Sequence, residues 1–219
     1  VSLLCSLLIV QKKTDTAKEE HKKIEVKQLL SIRGLKRIIL VSMINLAAID
    51  LFYIYFPLYA NSLGFSPSEI GLILMFMALA SVIARIFLPR AVGKFGRVRV
   101  LHVFMLIGAI AYCFVPFFDL ISVIIVVVMV LGAGLGMAQP LTILLSYQFA
   151  PANHTGEVLG LRLAGNRFFQ VVSPIIFAGI STLTGLGAIF VAEAVLLGFG
   201  AFFSLNLERK KVSEPSGSS

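Results

Sequence analysis

Long apolar runs separated by short polar connections dominate the chain from residue 38 onward. Each run is continuous, whereas the strands of a membrane barrel alternate between apolar and polar residues. Each also holds about the 20 residues that a helix needs to cross a bilayer. The pattern predicts an all-α integral membrane protein with six spanning helices, over Ile38–Ala60, Glu69–Pro89, Val100–Phe118, Leu120–Tyr147, Val158–Ile180 and Leu186–Leu207.

The remaining residues divide the chain into further parts. Val1–Val10 is apolar but only about half as long as a span, which is typical of the end of another spanning helix whose beginning is missing. Residues 11–33 are rich in Lys and Glu and predict a solvated central cytosolic linker. We therefore expect a six-helix domain at residues 34–208, a cytosolic tail at 209–219, and a chain that is a fragment of a longer protein.

The basic residues lie on, or nearer to, one side of the membrane when successive segments cross it in opposite directions. The connections Asn61–Ser68 and Ser181–Gly185 and the turn at Asp119 contain no Lys or Arg. Because basic loops stay in the cytosol, the chain is predicted to be multi-pass, with its C-terminus cytosolic, in a bacterial inner membrane. The basic residues of the other connection and of the tail are Arg90, Lys94, Arg97, Arg99, Arg209, Lys210 and Lys211.

Composition supports a bilayer environment over a soluble one. The chain is 58% hydrophobic and 14% charged, with a mean hydropathy of +0.95. Its net charge of +8 comes from residues at the ends of apolar runs, without interleaved exposed aromatics. This distribution favours membrane lipids with anionic headgroups as partners and argues against nucleic acid.

Two connections carry a resemblance to a known family. In the first, Ser66, Pro67 and Glu69 form the pattern of a capping box that opens a helix. In the second, Lys94, Gly96, Arg97 and Arg99 form a short Gly- and Arg-rich loop with Arg90. Together with the six-helix layout, these features resemble the major facilitator superfamily of secondary transporters. Gly93 stands where that family often carries an acidic residue, which puts a charge relay through that position in doubt.

The resemblance implies the C-terminal half of a twelve-helix transporter, built from two inverted three-helix repeats at about Ile38–Phe118 and Leu120–Leu207. Its partner would be a missing N-terminal six-helix half. The implied function is secondary active transport of a small organic solute by alternating access, coupled to protons, with efflux as one candidate direction. The basic connection would be a cytosolic gating loop. The alternative is a membrane sensor or scaffold that transports nothing.

No feature of the sequence supports an enzyme. The three histidines lie in or near connections, and no Ser–His pair or metal-ligand cluster occurs within the spans. A phosphate-binding loop of the G-x-x-x-x-G-K-[ST] type is also absent. We therefore expect neither a metal nor a cofactor.

Asp50 is the first candidate for a substrate or proton pathway. It lies about 12 residues into its segment, so it is roughly 18 Å from the inner boundary, where an aspartate is costly unless it faces a cavity or a partner. Asn45 and Tyr53 lie on a neighbouring sector of the same helix. A structural hydrogen bond between helices is the alternative explanation.

The fifth segment carries a polar stripe. Its members are spaced by four, four and three residues and therefore share one helical face. Arg162 lies about one turn inside the membrane, and we expect it to snorkel to the cytosol. Arg167 lies deeper but off the stripe, and we hypothesise that Asp50 pairs with Arg167 or Arg162. The stripe consists of Arg162, Asn166, Gln170 and Ser173.

Three further features are ambiguous. Gln139 precedes Pro140 and follows glycines 132, 134 and 136. The glycines predict close helix packing, and Gln139 with Pro140 predicts a bend beside a cavity. Glu193 is either a proton site or a packing partner. Arg85 is expected to snorkel or to lock the basic loop.

Overall fold

A computed structural model describes residues 31–151 and 154–205 of the chain. Six long helices follow one another within these residues, each long and apolar enough to cross a membrane. The described part contains no strand, so the predicted all-α membrane fold is confirmed. The helices are α1 (Arg33–Ser62), α2 (Pro67–Phe95), α3 (Arg97–Phe114), α4 (Ile121–Phe149), α5 (Thr155–Thr184) and α6 (Leu186–Leu205), with a 3-10 turn at Val115–Phe117.

Several predicted parts fall elsewhere in the chain. The end of an earlier spanning helix at residues 1–10, nearly all of the linker at 11–33 and the tail at 209–219 lie outside the described residues. The ends of α1, α4, α5 and α6 agree with the predicted segments to within five residues.

The connection between α2 and α3 differs from the prediction. A loop was expected from Arg90 to Arg99, but α2 continues through Pro89 to Phe95 and α3 starts at Arg97. Gly96 alone joins them, with a φ of 84° that favours glycine. Proline does not end a helix in lipid when neighbouring groups satisfy the backbone, so Pro89 was a misleading stop signal. The predicted loop is a helical corner.

The start of α2 is the capping box that the sequence predicts. Ser66 Oγ accepts a hydrogen bond from the Glu69 backbone N–H at 3.3 Å, and Glu69 Oε2 accepts one from the Ser66 backbone N–H at 2.8 Å. Pro67 occupies the first helical position. Two backbone donors at the helix end are thereby satisfied.

The helices pack with an internal symmetry. α4 contacts α2 and α3, α1 contacts α5 and α6, and α3 also packs on α6. Exchanging α1 with α4, α2 with α5 and α3 with α6 maps the α4 contacts onto the α1 contacts and the α3–α6 contact onto itself. Since α1 and α4 are three crossings apart, they run in opposite directions. The contact pattern is therefore that of two inverted three-helix repeats.

Glycines on two sides of α4 allow its close packing, as the sequence predicts. Gly132 and Gly136 face α2, and a Cβ added at either would overlap α2 atoms. Gly134 faces α3, where a Cβ would lie 2.8 Å from the Phe104 carbonyl oxygen and 2.9 Å from the Gly108 nitrogen. Small residues of this kind let helix backbones approach closely in a membrane.

Aromatic side chains join α1, α3 and α6. Phe52 and Phe56 stack with their ring centroids 4.6 Å apart, and Phe190 contacts Tyr59 edge to face at 5.2 Å. The hydroxyl of Tyr112 on α3 donates a hydrogen bond to a carbonyl of α1, that of Ala48. All of these rings are buried. This side of the bundle is therefore a closed, packed core.

We predict that Gly134→Ala destabilises the protein by about 1–3 kcal/mol, because the added methyl group meets backbone atoms that cannot move aside. The matched control is Gly198→Ala in α6, where an added Cβ meets nothing within 4 Å. Unfolding of the full chain in detergent measures both. Equal stabilities for the two variants would contradict the packing described for α4.

Candidate functional site

A buried polar cluster lies between α1, α4 and α5, and we define it as Ser42, Thr142, Arg162 and Asn166. Arg162 Nη2 donates to Thr142 Oγ1 at 3.2 Å, and Thr142 Oγ1 donates to the Gln139 carbonyl at 2.8 Å. Ser42 Oγ donates to Asn166 Oδ1 at 3.3 Å. Each member is less than 9% exposed. The predicted stripe on α5 thus faces the interior of the bundle.

The expectation that Arg162 snorkels to the cytosol is wrong. The residue is only 7% exposed and turns inward to α4, since Thr142 offers a hydroxyl at the same depth. Its Nε atom has no hydrogen-bond partner among the described residues, and neither does the buried Oδ1 of Asn45. The cluster therefore holds a cation whose donors are not all satisfied by the described residues.

Asp50 and Arg167 are linked by an amide. Gln170 Nε2 donates to Asp50 Oδ2 at 2.7 Å, and Arg167 Nη1 donates to Gln170 Oε1 at 2.6 Å. The direct pair hypothesised between Asp50 and an arginine is absent from the described residues. The reason is positional, because Arg167 lies off the face of α5 that meets α1, whereas Gln170 lies on it. We call this chain of contacts the amide bridge.

A cleft of about 220 Å³ opens between α1, α2 and α4. Its polar side chains are Tyr53, Ser81, Arg85 and Gln139. The rest of the lining is largely apolar and includes two of the α4 glycines that bring α2 close. The predicted site residues Tyr53 and Gln139 thus meet here, although they come from separate helices.

Arg85 lines this cleft and contacts α4. Its Nε donates to the Gly136 carbonyl at 3.1 Å, and its Nη2 donates to Gln139 Oε1 at 2.8 Å. Pro140 has no N–H, so the Gly136 carbonyl lacks its usual partner four residues on. Arg85 supplies the replacement donor.

Neither alternative predicted for Arg85, snorkelling or locking of the basic loop, matches its hydrogen bonds, which go to Gly136 and Gln139. Because α2 extends to Phe95, Arg85 lies ten residues from the helix end, or about 15 Å along the axis. Its side chain contacts α4 at that depth.

Glu193 lies on α6, a helix that contributes no residue to the lining of the cleft. It is fully buried on α6, and neither of its carboxyl oxygens has a hydrogen-bond partner among the described residues. Tyr112 of the aromatic core is among its electrostatic neighbours. Glu193 therefore belongs to the packed side of the bundle.

The basic corner contacts the neighbouring helix α4. Arg97 Nη1 donates to Gln148 Oε1 near the end of α4 at 3.2 Å. Lys94 Nζ lies 5.3 Å from the centroid of the Phe95 ring. Arg90 and Arg99 lie on the same two helix ends. The corner is thus attached to α4, the helix that also carries Gln139.

Two side chains of the site, Ser81 and Thr142, escaped the sequence reasoning, and Arg85 was recognised only as a snorkelling or loop-locking cation. Ser81 and Arg85 are four residues apart on α2, and Thr142 follows Gln139 by three residues. Helical spacing from a recognised polar residue could have indicated each of them.

The sequence comparisons agree with this architecture. A family profile described as Major Facilitator Superfamily matches residues 38–219. The chain belongs to this family. A search of curated proteins returned no significant match. The Major Facilitator Superfamily is a family of transporters rather than enzymes, so the family match assigns the chain to membrane transport. The six apolar helices make it an integral, multi-pass membrane protein.

In this Major Facilitator Superfamily chain, Thr142→Val should destabilise the fold by about 1–3 kcal/mol, because it leaves the buried Arg162 guanidinium without its hydroxyl partner. Thr142→Ser keeps the hydroxyl and should cost less. Denaturant unfolding in detergent measures both variants. A valine variant as stable as the serine variant would show that the contact between Arg162 and Thr142 does not contribute to stability.

Proposed function

We propose that the chain forms the C-terminal half of a secondary active transporter that moves a small organic solute by alternating access. The observation that supports this most is the gathering of polar side chains at mid-depth. Asp50 and Gln170 meet between α1 and α5, while Tyr53, Arg85 and Gln139 meet between α1, α2 and α4. Polar groups at such depth are costly in lipid, so a cavity or a partner is expected to cover them.

The partner in this proposal is an N-terminal six-helix half that covers the exposed part of α1. Tyr53 is 44% exposed there, and Asp50 is half-buried beside it. In a bilayer these groups would otherwise meet acyl chains. The solute would bind between the two halves, near the middle of the membrane, where transporters of inverted-repeat design place their sites.

Proton coupling in this proposal acts through the amide bridge. A carboxylate at Asp50 accepts from Gln170 Nε2, and this charge-assisted hydrogen bond holds α1 to α5. Protonation would remove the charge and weaken the hydrogen bond, which would allow α1 and α5 to separate. Glu193 is the second candidate proton site, since it is a buried acid without a partner in the described part.

The basic end of the bundle would face the cytosol, with the C-terminus there and the membrane being a bacterial inner membrane. In that orientation the corner at Gly96 is a cytosolic gate. Arg97 holds it to α4 in the present state through Gln148, and Arg90, Lys94 and Arg99 can contact anionic lipid headgroups or the other half in another state. Efflux is the direction we propose, with proton entry driving exit of the solute.

Asp50→Asn should lower the accumulation of solute driven by a pH gradient by about tenfold or more, because the amide side chain cannot carry the proton. Exchange of solute down its own gradient should persist. The measurement is flux of radiolabelled organic acids, amino acids and sugars into liposomes that contain the full-length protein. Asp119→Asn, in the connection between α3 and α4, is the matched control.

The outcomes separate the alternatives. Absence of flux for every solute in the wild-type protein would favour the sensor or scaffold and remove the transport proposal. Normal accumulation by Asp50→Asn, combined with its loss in Glu193→Gln, would transfer the proton site to α6.

A further inference from the structure

The cleft carries a cation without an acidic counterpart in its lining. Arg85 is its charged residue, and no Asp or Glu lines it. Both hydrogen bonds of Arg85 go to neutral oxygens, those of Gly136 and Gln139. Asp50 does not line the cleft, and its carboxylate accepts a hydrogen bond from Gln170 of α5. Arg85 therefore gives the lining of the cleft a positive charge, and such a charge attracts anions.

Arg85 retains donors for a ligand. A guanidinium group has five N–H bonds, and its contacts to α4 use one from Nε and one from Nη2. The remaining edge consists of Nη1 and the second N–H of Nη2. Two parallel donors of this kind match the two oxygens of a carboxylate.

The other walls suit an apolar body attached to that carboxylate. The lining includes the large apolar side chains of Ile49, Met77, Val82 and Leu135. The volume of about 220 Å³ admits a molecule of the size of a small aromatic acid. We propose that this cleft binds a small amphipathic organic anion, with its carboxylate on Arg85 and its apolar part against α1 and α2. This inference rests on the proposed transport function and names its substrate class.

Gln139 has a positioning role in this site. Its Oε1 accepts from Arg85, which fixes the guanidinium plane against α4 and leaves the free edge directed away from it. A cation that served only to satisfy the Gly136 carbonyl would show no preference between an anion and a neutral molecule of the same shape. That difference separates a binding role from a purely structural one.

The experiment uses a cysteine at Val82, which lines the cleft and is 56% exposed. In the full-length protein with every native cysteine replaced by serine, Cys5 and Cys113 included, Val82→Cys is labelled with N-ethylmaleimide in the presence of benzoate, benzamide or benzylamine. Benzoate should slow the labelling about tenfold, since a hydrogen bond to a charged group contributes that much affinity. The isosteric amide and the amine should slow it by less than about twofold.

Variants locate the effect. Arg85→Gln should remove the protection by benzoate, Arg85→Lys should keep part of it, and Lys36→Gln, which removes an exposed cation at the basic end of α1, should leave it intact. Equal protection by benzamide, persistence of protection in Arg85→Gln, or no protection by benzoate would overturn the proposal. Protection without solute flux in liposomes would leave the anion site standing and remove the transport function, so the two failures are distinguishable.

Discussion

The hydrogen bond from Arg85 to the Gly136 carbonyl resolves a constraint that governs the whole bundle. A helix in lipid has no water to satisfy its backbone, and Pro140 removes one donor from the middle of α4. Arg85 of α2 replaces it at 3.1 Å, and Gln139 accepts from the same guanidinium. This contact requires α2 and α4 to lie close together, which the glycine at 136 permits. The cleft, its charge and the central position of α4 all depend on that arrangement.

On α5, too, a proline frees a backbone carbonyl close to a polar side chain of the site. Pro174 leaves the backbone carbonyl of Gln170 without its usual donor, and the side chain of Gln170 forms the centre of the amide bridge. Tyr55 of α1 donates to the Pro174 carbonyl at 2.8 Å, which adds a second link between these helices. α4 and α5 thus each combine an interrupted backbone with the polar side chains that we assign to transport. The opposite side of the bundle, formed by α3, α6 and the aromatic core, contains few interruptions and is tightly packed. This division separates the packed aromatic core from the helices that carry the polar side chains.

Much of the fold followed from the sequence because continuous apolar runs, a capping box and helix-facing glycines are local signals. The site was harder to predict, since the direction of a long side chain depends on neighbours that only the fold supplies. Arg162 was expected to reach the membrane surface, and Arg85 was expected to reach it or to lock the basic loop. Each instead turns to an oxygen on α4. The direct pair expected for Asp50 was likewise replaced by an amide, because opposite charges at similar depth say nothing about which residue lies between them.

The central claim is that Arg85 and the carbonyl released by Pro140 act as a unit, and a double-mutant cycle tests it most directly. Arg85→Met, Pro140→Ala and their combination are unfolded in detergent beside the wild-type chain. Alanine at 140 restores the backbone donor, so loss of Arg85 should then cost about 1–2 kcal/mol less than it does in the wild type. Costs that add within about 0.5 kcal/mol would contradict the account, because they would show that Arg85 and the interrupted backbone are energetically independent.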